Sequence, residues 1–289
     1  MIFLCTAQHS CSDEPRKFEK NSNVLEAGRA SIGASSSCVL FLGYPRACQR
    51  TREEGAFFMA EESLKESPPE QIIKSRKRVQ DHGEVFTPSW LVSDMCDLVA
   101  QECERIDSRF LEPACGDGNF LTEVLRRKLN TVQRLYGRDA LNFEVYSILA
   151  VTSLYGVDLL LDNVTRCRER LYQQWEEVYL PHATSMKEGC ITAVKKILEL
   201  NILCGDALSL RQTDGSPIVF TEWSLINKSK FQRREYELSA LLDEQGGDDL
   251  FSLSLDGSTQ LWQQDPEDPT SRVPAPKKEY PLIDYWRLS

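Results

Sequence analysis

The densest run of chemically useful residues in this 289-residue chain is Glu112-Pro113-Ala114-Cys115-Gly116-Asp117-Gly118-Asn119-Phe120-Leu121. Two glycines one residue apart let the backbone approach a ligand closely. A helix starting just after them presents N–H groups and positive potential to a carboxylate or phosphate. The third glycine of a dinucleotide fingerprint is absent, with Leu121 in its place, and no Gly-Lys-Ser/Thr follows as in a P-loop. By itself such a turn is structural more often than it is a ligand site. Two acids further along shift that balance. Ligands of open α/β sheets sit outside the carboxyl ends of the strands, and Asp158 and Asp206 each close an apolar run with strand character. Asp158 suits acceptance from ribose hydroxyls, and Asp206 acceptance from an adenine amino group. Either acid taken singly also reads as a solvated loop carboxylate, but three such features at successive strand ends point to one site.

The elements that must hold these residues are legible in the spacing. Thr87 and Pro88 read as N-cap and first residue of a helix of about four turns, with Leu91, Val92, Met95, Leu98 and Val99 on one face. Arg109 to Pro113 reads as a short buried strand running into the glycine turn. Phe120, Leu121, Val124, Leu125 and Val132 then recur at helical spacing. Helices are expected over about 140–152, 161–179 and 186–199, and strands over 154–158, 201–206 and 217–221. Strand, glycine turn and helix in alternation define an α/β protein.

Outside this region the pattern fades. Residues 1–58 show neither helical nor alternating period and read as disorder or an upstream extension. Met59 opens a polar helical lead-in (Met59-Ala60-Glu61-Glu62-Ser63-Leu64-Lys65) and reads as the natural start. Residues 243–289 hold ten acids and four bases, the composition of a solvated tail or a partner-dependent arm. The patterned domain is therefore 59–242.

Composition excludes several classes. No apolar run approaches a membrane span, and Met1-Ile2-Phe3-Leu4-Cys5 is too short for a signal sequence. The ten cysteines form no CxxC pair, and neither they nor His9, His82 and His182 show zinc spacing, so no metal site is expected. Reduced thiols in a cytoplasmic protein are the expectation. The formal net charge of -10 argues against strong unaided binding to duplex DNA.

Together the residues resemble the class I, S-adenosylmethionine-dependent DNA adenine methyltransferases of bacterial restriction-modification systems. The resemblance spans roughly residues 72–210. Gly83-Glu84-Val85-Phe86-Thr87-Pro88 is similar to the family's N-terminal cofactor motif, and precedes the glycine motif as in the gamma-ordered and type I modification enzymes. Glu112 to Leu121 is similar to the glycine motif, Gly156-Val157-Asp158-Leu159 to the ribose motif and Gly205-Asp206-Ala207 to the adenine motif. The resemblance implies a Rossmann-like class I fold, an open and mostly parallel sheet with helices on both faces. It also implies S-adenosyl-L-methionine as cofactor, with Phe86 and Thr87 at the methionine end. Glu112, Pro113, Ala114, Gly116 and Gly118 would lie around the glycine turn, Asp158 and Leu159 at the ribose, and Asp206 and Ala207 at the adenine. DNA is the implied partner, read with the help of a separate specificity or restriction subunit.

The chain departs from the family at the acceptor motif. Those enzymes carry an Asn/Asp/Ser-Pro-Pro-aromatic tetrapeptide after the fourth strand, which holds the target amine and stacks on the flipped base. Here the corresponding stretch reads Ile218-Val219-Phe220-Thr221-Glu222-Trp223-Ser224-Leu225, and the chain's Pro68-Pro69 reads as a linker. Glu222 as amine acceptor and Trp223 as stacking ring are the substitutes on offer, with Trp223 as a packing residue the alternative. The basic clusters Lys74 to Arg78 and Lys228 to Arg234 read either as a DNA path or as solvated faces. Four functions stay open: a DNA adenine-N6 methyltransferase, a catalytically silent cofactor-binding relative, a methyltransferase for protein or RNA, and an assembly partner using only the fold.

Overall fold

Three short, mostly apolar runs build the centre of the molecule. The computed structural model describes residues 2–3, 30–32, 36–40, 73–82, 84–242, 262–264 and 272–288. Gly83, the Met59 lead-in, the Pro68-Pro69 segment and residues 243–261 lie outside the described residues. The first strands are β1 (Ile2–Phe3), β2 (Ala30–Ile32) and β3 (Ser36–Leu40), followed by α1 (Arg76–His82), α2 (Ser89–Asp97) and α3 (Ala100–Glu104). Next come β4 (Phe110–Glu112), α4 (Asn119–Tyr136), α5 (Ala140–Thr152), β5 (Leu154–Asp158), α6 (Leu161–Tyr179), α7 (Lys187–Asn201) and β6 (Ile202–Asp206). The short β7 (Arg211–Gln212) precedes a long hairpin, β8 (Val219–Ile226) and β9 (Lys230–Glu237), and then α8 (Leu238–Leu242). Four short strands end the chain: β10 (Trp262–Gln264), β11 (Arg272–Pro274), β12 (Lys278–Glu279) and β13 (Ile283–Asp284).

β4, β5 and β6 pair side by side in parallel, with Phe110 opposite Leu154 and Gly156 opposite Ile202. β7 continues the sheet antiparallel to β6, and β1 lies parallel to the other edge, against β4. β3 and β2 extend that edge. Because side chains alternate across a sheet, Phe110, Leu154 and Ile202 join Val124, Ile148, Trp175 and Val194 of the long helices in one large core. Leu111, Tyr155 and Val157 meet Ile218, Phe220 and Leu238 in a second, smaller core. The result is a mixed α/β fold with helices on both sides of its sheet.

The helices follow from their sequences. α4 buries Phe120, Leu121, Val124, Leu125, Leu129 and Val132 along one stripe, the pattern of an amphipathic helix facing a core. α5 is apolar nearly all round and packs between α4 and α7. Lys128, on the buried stripe of α4, is wholly enclosed. Its ammonium donates to the carbonyls of Ile106 and Ser108 and to Ser153 Oγ, fastening the loop ahead of β4 to the end of α5. Burial lowers its pKa to about 7.

Four expectations change. The expected helix begins at Ser89, as α2, with the extended Pro88 in the cap position, so Thr87 lies one residue too early to cap it; the Thr87 carbonyl accepts from Asn119 Nδ2 at 3.0 Å. The expected four turns divide into α2 and α3. Three strands fall within residues 1–58, and their pairing depends on the open edge of β4, a tertiary partner that local periodicity does not report. The solvated-tail reading does not hold for residues 272–288. β12 and β13 pair with β9, and Tyr285 and Leu288 are buried. The acidic average hid a final apolar cluster that packs on α7.

Candidate functional site

β4 and β5 are parallel neighbours, so the segments leaving them emerge at the same sheet edge, and β6 delivers a third loop beside them. After β4 the chain makes the glycine turn and enters α4. Gly116 has a φ of 52° and Gly118 a φ of 94°, values at which a side chain is strained. Space closes both positions as well. A Cβ on Gly116 would stand 3.1 Å from the Phe86 ring, and one on Gly118 only 2.7 Å from Cys167 Sγ. α4 starts without a side-chain cap, leaving its N-terminal dipole toward the cleft that Asn119 and Phe120 line.

That cleft has a volume of about 420 Å³, within the range of small-molecule sites. Phe86 and Thr87 form one wall, and Pro113, Ala114 and Gly116 the glycine turn. Asp158 and Leu159 contribute from the end of β5, and Asp206 and Ala207 from the end of β6. Of the remaining residues expected here, Gly118 is the left-handed residue that opens α4 and Glu112 is enclosed below the turn. The structure thus brings residues from four separated stretches of sequence around one space. Sequence reasoning left Glu84, Asn119 and Asn163, which also line it, without a role. The signal for Asn163 was a polar amide in the first turn of α6, five residues after the strand-end acid.

Asp158 is the electrostatic centre of the cleft. Its Oδ1 accepts from the Leu160 N–H at 2.9 Å and from Asn163 Nδ2 at 3.0 Å, and its Oδ2 accepts from the Gly116 N–H at 3.0 Å. Burial pushes its pKa above the ordinary value, and these donors offset that only in part. Glu84 is buried too, yet hydrogen bonds from Arg78 and Asn163 outweigh the cost and hold its pKa low. Asp206 is held low by the Leu208 N–H, which donates to it at 2.9 Å. Glu112 is the exception. Its Oε1 accepts from the Ala114 N–H at 3.2 Å, its Oε2 has no partner among the described residues, and burial drives its pKa well up.

Glu222 and Trp223 lie elsewhere. Glu222 is ion-paired with Arg109, which stands just ahead of β4, whereas the cleft opens beyond the other end of that strand. Trp223 is buried in the large core, its Nε1 donating to Asn201 Oδ1 at 3.4 Å, with the Arg233 guanidinium 5.6 Å from its ring centre. Neither residue lines the cleft. Several members of the basic clusters are held in ion pairs. Lys74 and Arg78 pair with Asp162, Arg78 also pairs with Glu84, and Lys230, Arg233 and Arg234 pair with Asp284, Glu235 and Glu279.

One relative is informative. Over 86 residues the chain is 33% identical to the type II methyltransferase M.VspI of Vibrio sp. (strain 343), a stretch that covers 30% of this chain and 18% of that protein. No protein-family model matches the chain, and no solved structure matches it. The partial likeness and the mixed α/β fold support membership of the broad methyltransferase superfamily. No helix among the described residues is long and apolar enough to cross a membrane.

Proposed function

We propose that the cleft binds S-adenosyl-L-methionine, and that the chain is a DNA methyltransferase of the adenine-N6 type, the modification component of a restriction-modification system. The observation that carries this reading is the convergence of Phe86, Gly116, Asp158 and Asp206 on one cleft. One detail of the cleft fits a nucleoside cofactor, the Gly116 cradle, where a Cβ would stand 3.1 Å from the Phe86 ring; beneath the turn, the buried Glu112 Oε2 has no partner among the described residues. Phe86 and Thr87 would hold the methionine end. Glu112, Pro113, Ala114, Gly116 and Gly118 would shape the floor, Asp158 and Leu159 would meet the ribose, and Asp206 and Ala207 the adenine. When bound, the cofactor supplies an electrophilic methyl group for in-line transfer to an amine lone pair. The chain's own task is to orient the reactants and exclude water, which for such a displacement supplies most of the catalysis.

A second reading is a cofactor-binding subunit without turnover. It is favoured by the placement of Glu222 in an ion pair with Arg109 and of Trp223 in the core, away from the cleft. Calorimetric titration of the full chain with S-adenosylmethionine tests the common part of both readings. Binding with a Kd near micromolar, about -8 kcal/mol, is expected, with Gly116→Val abolishing it. An absence of binding by the parent chain, or equal binding by Gly116→Val, would overturn the assignment. Label transfer compared across DNA, RNA and protein then separates the enzyme from the silent subunit and identifies the acceptor polymer.

A further inference from the structure

Asn163 is only 1% exposed, yet it lines the cleft and every polar position it has is used. A primary amide offers two N–H donors and two acceptor positions. Here Nδ2 donates to Asp158 Oδ1 at 3.0 Å and to Glu84 Oε1 at 2.8 Å, while Oδ1 accepts from Lys74 Nζ and from Arg78 Nη2 at 3.2 Å. The two carboxylates belong to different walls of the cleft, Glu84 to the segment leading into α2 and Asp158 to the end of β5. Nothing else among the described hydrogen bonds ties them together. Arg78 supplies the balancing charge with a two-pronged grip on Glu84.

The consequence falls on Asp158. A carboxylate has about four acceptor positions. The Leu160 N–H and Asn163 fill those of Oδ1, and the Gly116 N–H takes one of the two on Oδ2. A single position remains, on Oδ2, so which way the carboxylate is turned decides whether a hydroxyl in the cleft can reach it. We propose that Asn163 is a positioning residue for the cofactor's ribose. By gripping Oδ1 it holds the free Oδ2 position toward a ribose hydroxyl. The proposal rests on the S-adenosylmethionine reading and names how the ribose is selected.

The test is a calorimetric comparison of S-adenosylmethionine with its 2′,3′-dideoxy analogue on the parent chain, Asn163→Ala, Asp158→Ala and the double variant. Asn163→Ala should weaken S-adenosylmethionine about tenfold while leaving the dideoxy analogue within about twofold, because only hydroxyl recognition passes through Asp158. The double variant should bind no more weakly than Asp158→Ala alone. The dideoxy affinity also reports that each variant keeps a folded cleft, and Asn163→Ser replaces Asn163→Ala if the latter does not fold. Equal losses for both ligands, or losses that multiply in the double variant, would reduce Asn163 to a packing residue and overturn the proposal. A parent chain that binds neither ligand would instead remove the cofactor reading on which the proposal stands.

Discussion

Glu112 shows most directly how a single residue can be costly to the fold and useful to a site. A carboxyl 1% exposed with one oxygen unpartnered costs about 1–3 kcal/mol relative to a satisfied group. Burial raises its folded pKa well above the reference value of 4.5, and the nearby Asp158 raises it further, while the Ala114 N–H opposes the shift. The linkage follows from that sign. Below about 4.5 the group is neutral in both the folded and unfolded states and carries no titration penalty. Above it the unfolded chain ionises while the folded one resists, so the penalty grows as pH rises toward the folded pKa. Glu112→Gln keeps an acceptor for Ala114 and removes the titration. The variant should be more stable than the parent by about 1–3 kcal/mol near neutral pH, with the gap closing toward about pH 5. On the proposed function it should also bind S-adenosylmethionine at least tenfold more weakly. Denaturant titrations across that pH range, paired with calorimetry, check both halves. A variant that gains no stability would overturn the titration penalty, and one that gains it without losing affinity would overturn the role in the site.

At the scale of elements, the wall carrying Phe86 and Thr87 is held to the body mostly by polar contacts. α1 reaches α6 through Lys74, Arg78, Asp162 and Asn163, and the wall itself is tied by the Asn119 amide on the Thr87 carbonyl. Arg78→Ala leaves Glu84, 5% exposed, with Asn163 as its remaining donor. Half-exposed ion pairs contribute little, but a buried carboxylate stripped of its cation is costly, so the effect should be local loosening of the wall. Hydrogen exchange of residues 84–88 should rise at least tenfold while that of the buried residues 154–157 of β5 stays unchanged; equal protection in both proteins would show that the ion pairs do not hold the wall. The same contacts mark what could be read beforehand. The glycine turn, β5 and β6 were legible because each pairs a local apolar run with a strand-end acid or glycine. The pairing of Lys74 and Arg78 was not, since it depends on Asp162 and Asn163 more than 80 residues away. Glu222 and Trp223 read as acceptor candidates because they follow the fourth expected strand, but β8 forms a hairpin with β9 and carries them to the opposite end of the sheet.

Over the whole molecule, charge decides how the proposed substrate can be approached. The chain carries 34 Lys and Arg against 44 Asp and Glu, and both of its basic clusters spend charges on ion pairs within the molecule. Lys74 and Arg78 face Asp162 and Glu84, while Lys230 and Arg234 face Asp284 and Glu279. Residues 272–288 add a second consequence, because β12 and β13 lay acids directly along β9, where a basic strand would otherwise face outward. Affinity for duplex DNA grows with the number of phosphates neutralised, and each released counterion steepens the salt dependence. A protein with a net charge of -10, whose Lys74, Arg78, Lys230 and Arg234 already face carboxylates, should show little of either. Fluorescence anisotropy with a labelled duplex should therefore give no saturation below about 10 µM chain at roughly 150 mM salt, and only a shallow change between about 50 and 200 mM. Adding S-adenosylmethionine should not alter this, since the lining of the cleft proposed to hold it includes Glu84, Asp158 and Asp206 and no Lys or Arg. Submicromolar binding with a steep salt slope would mean that the clusters exchange their internal partners for phosphate, and the need for a separate DNA-reading subunit would fall away. Weak, salt-insensitive binding would place sequence reading on such a partner and leave this chain the task its cleft is built for.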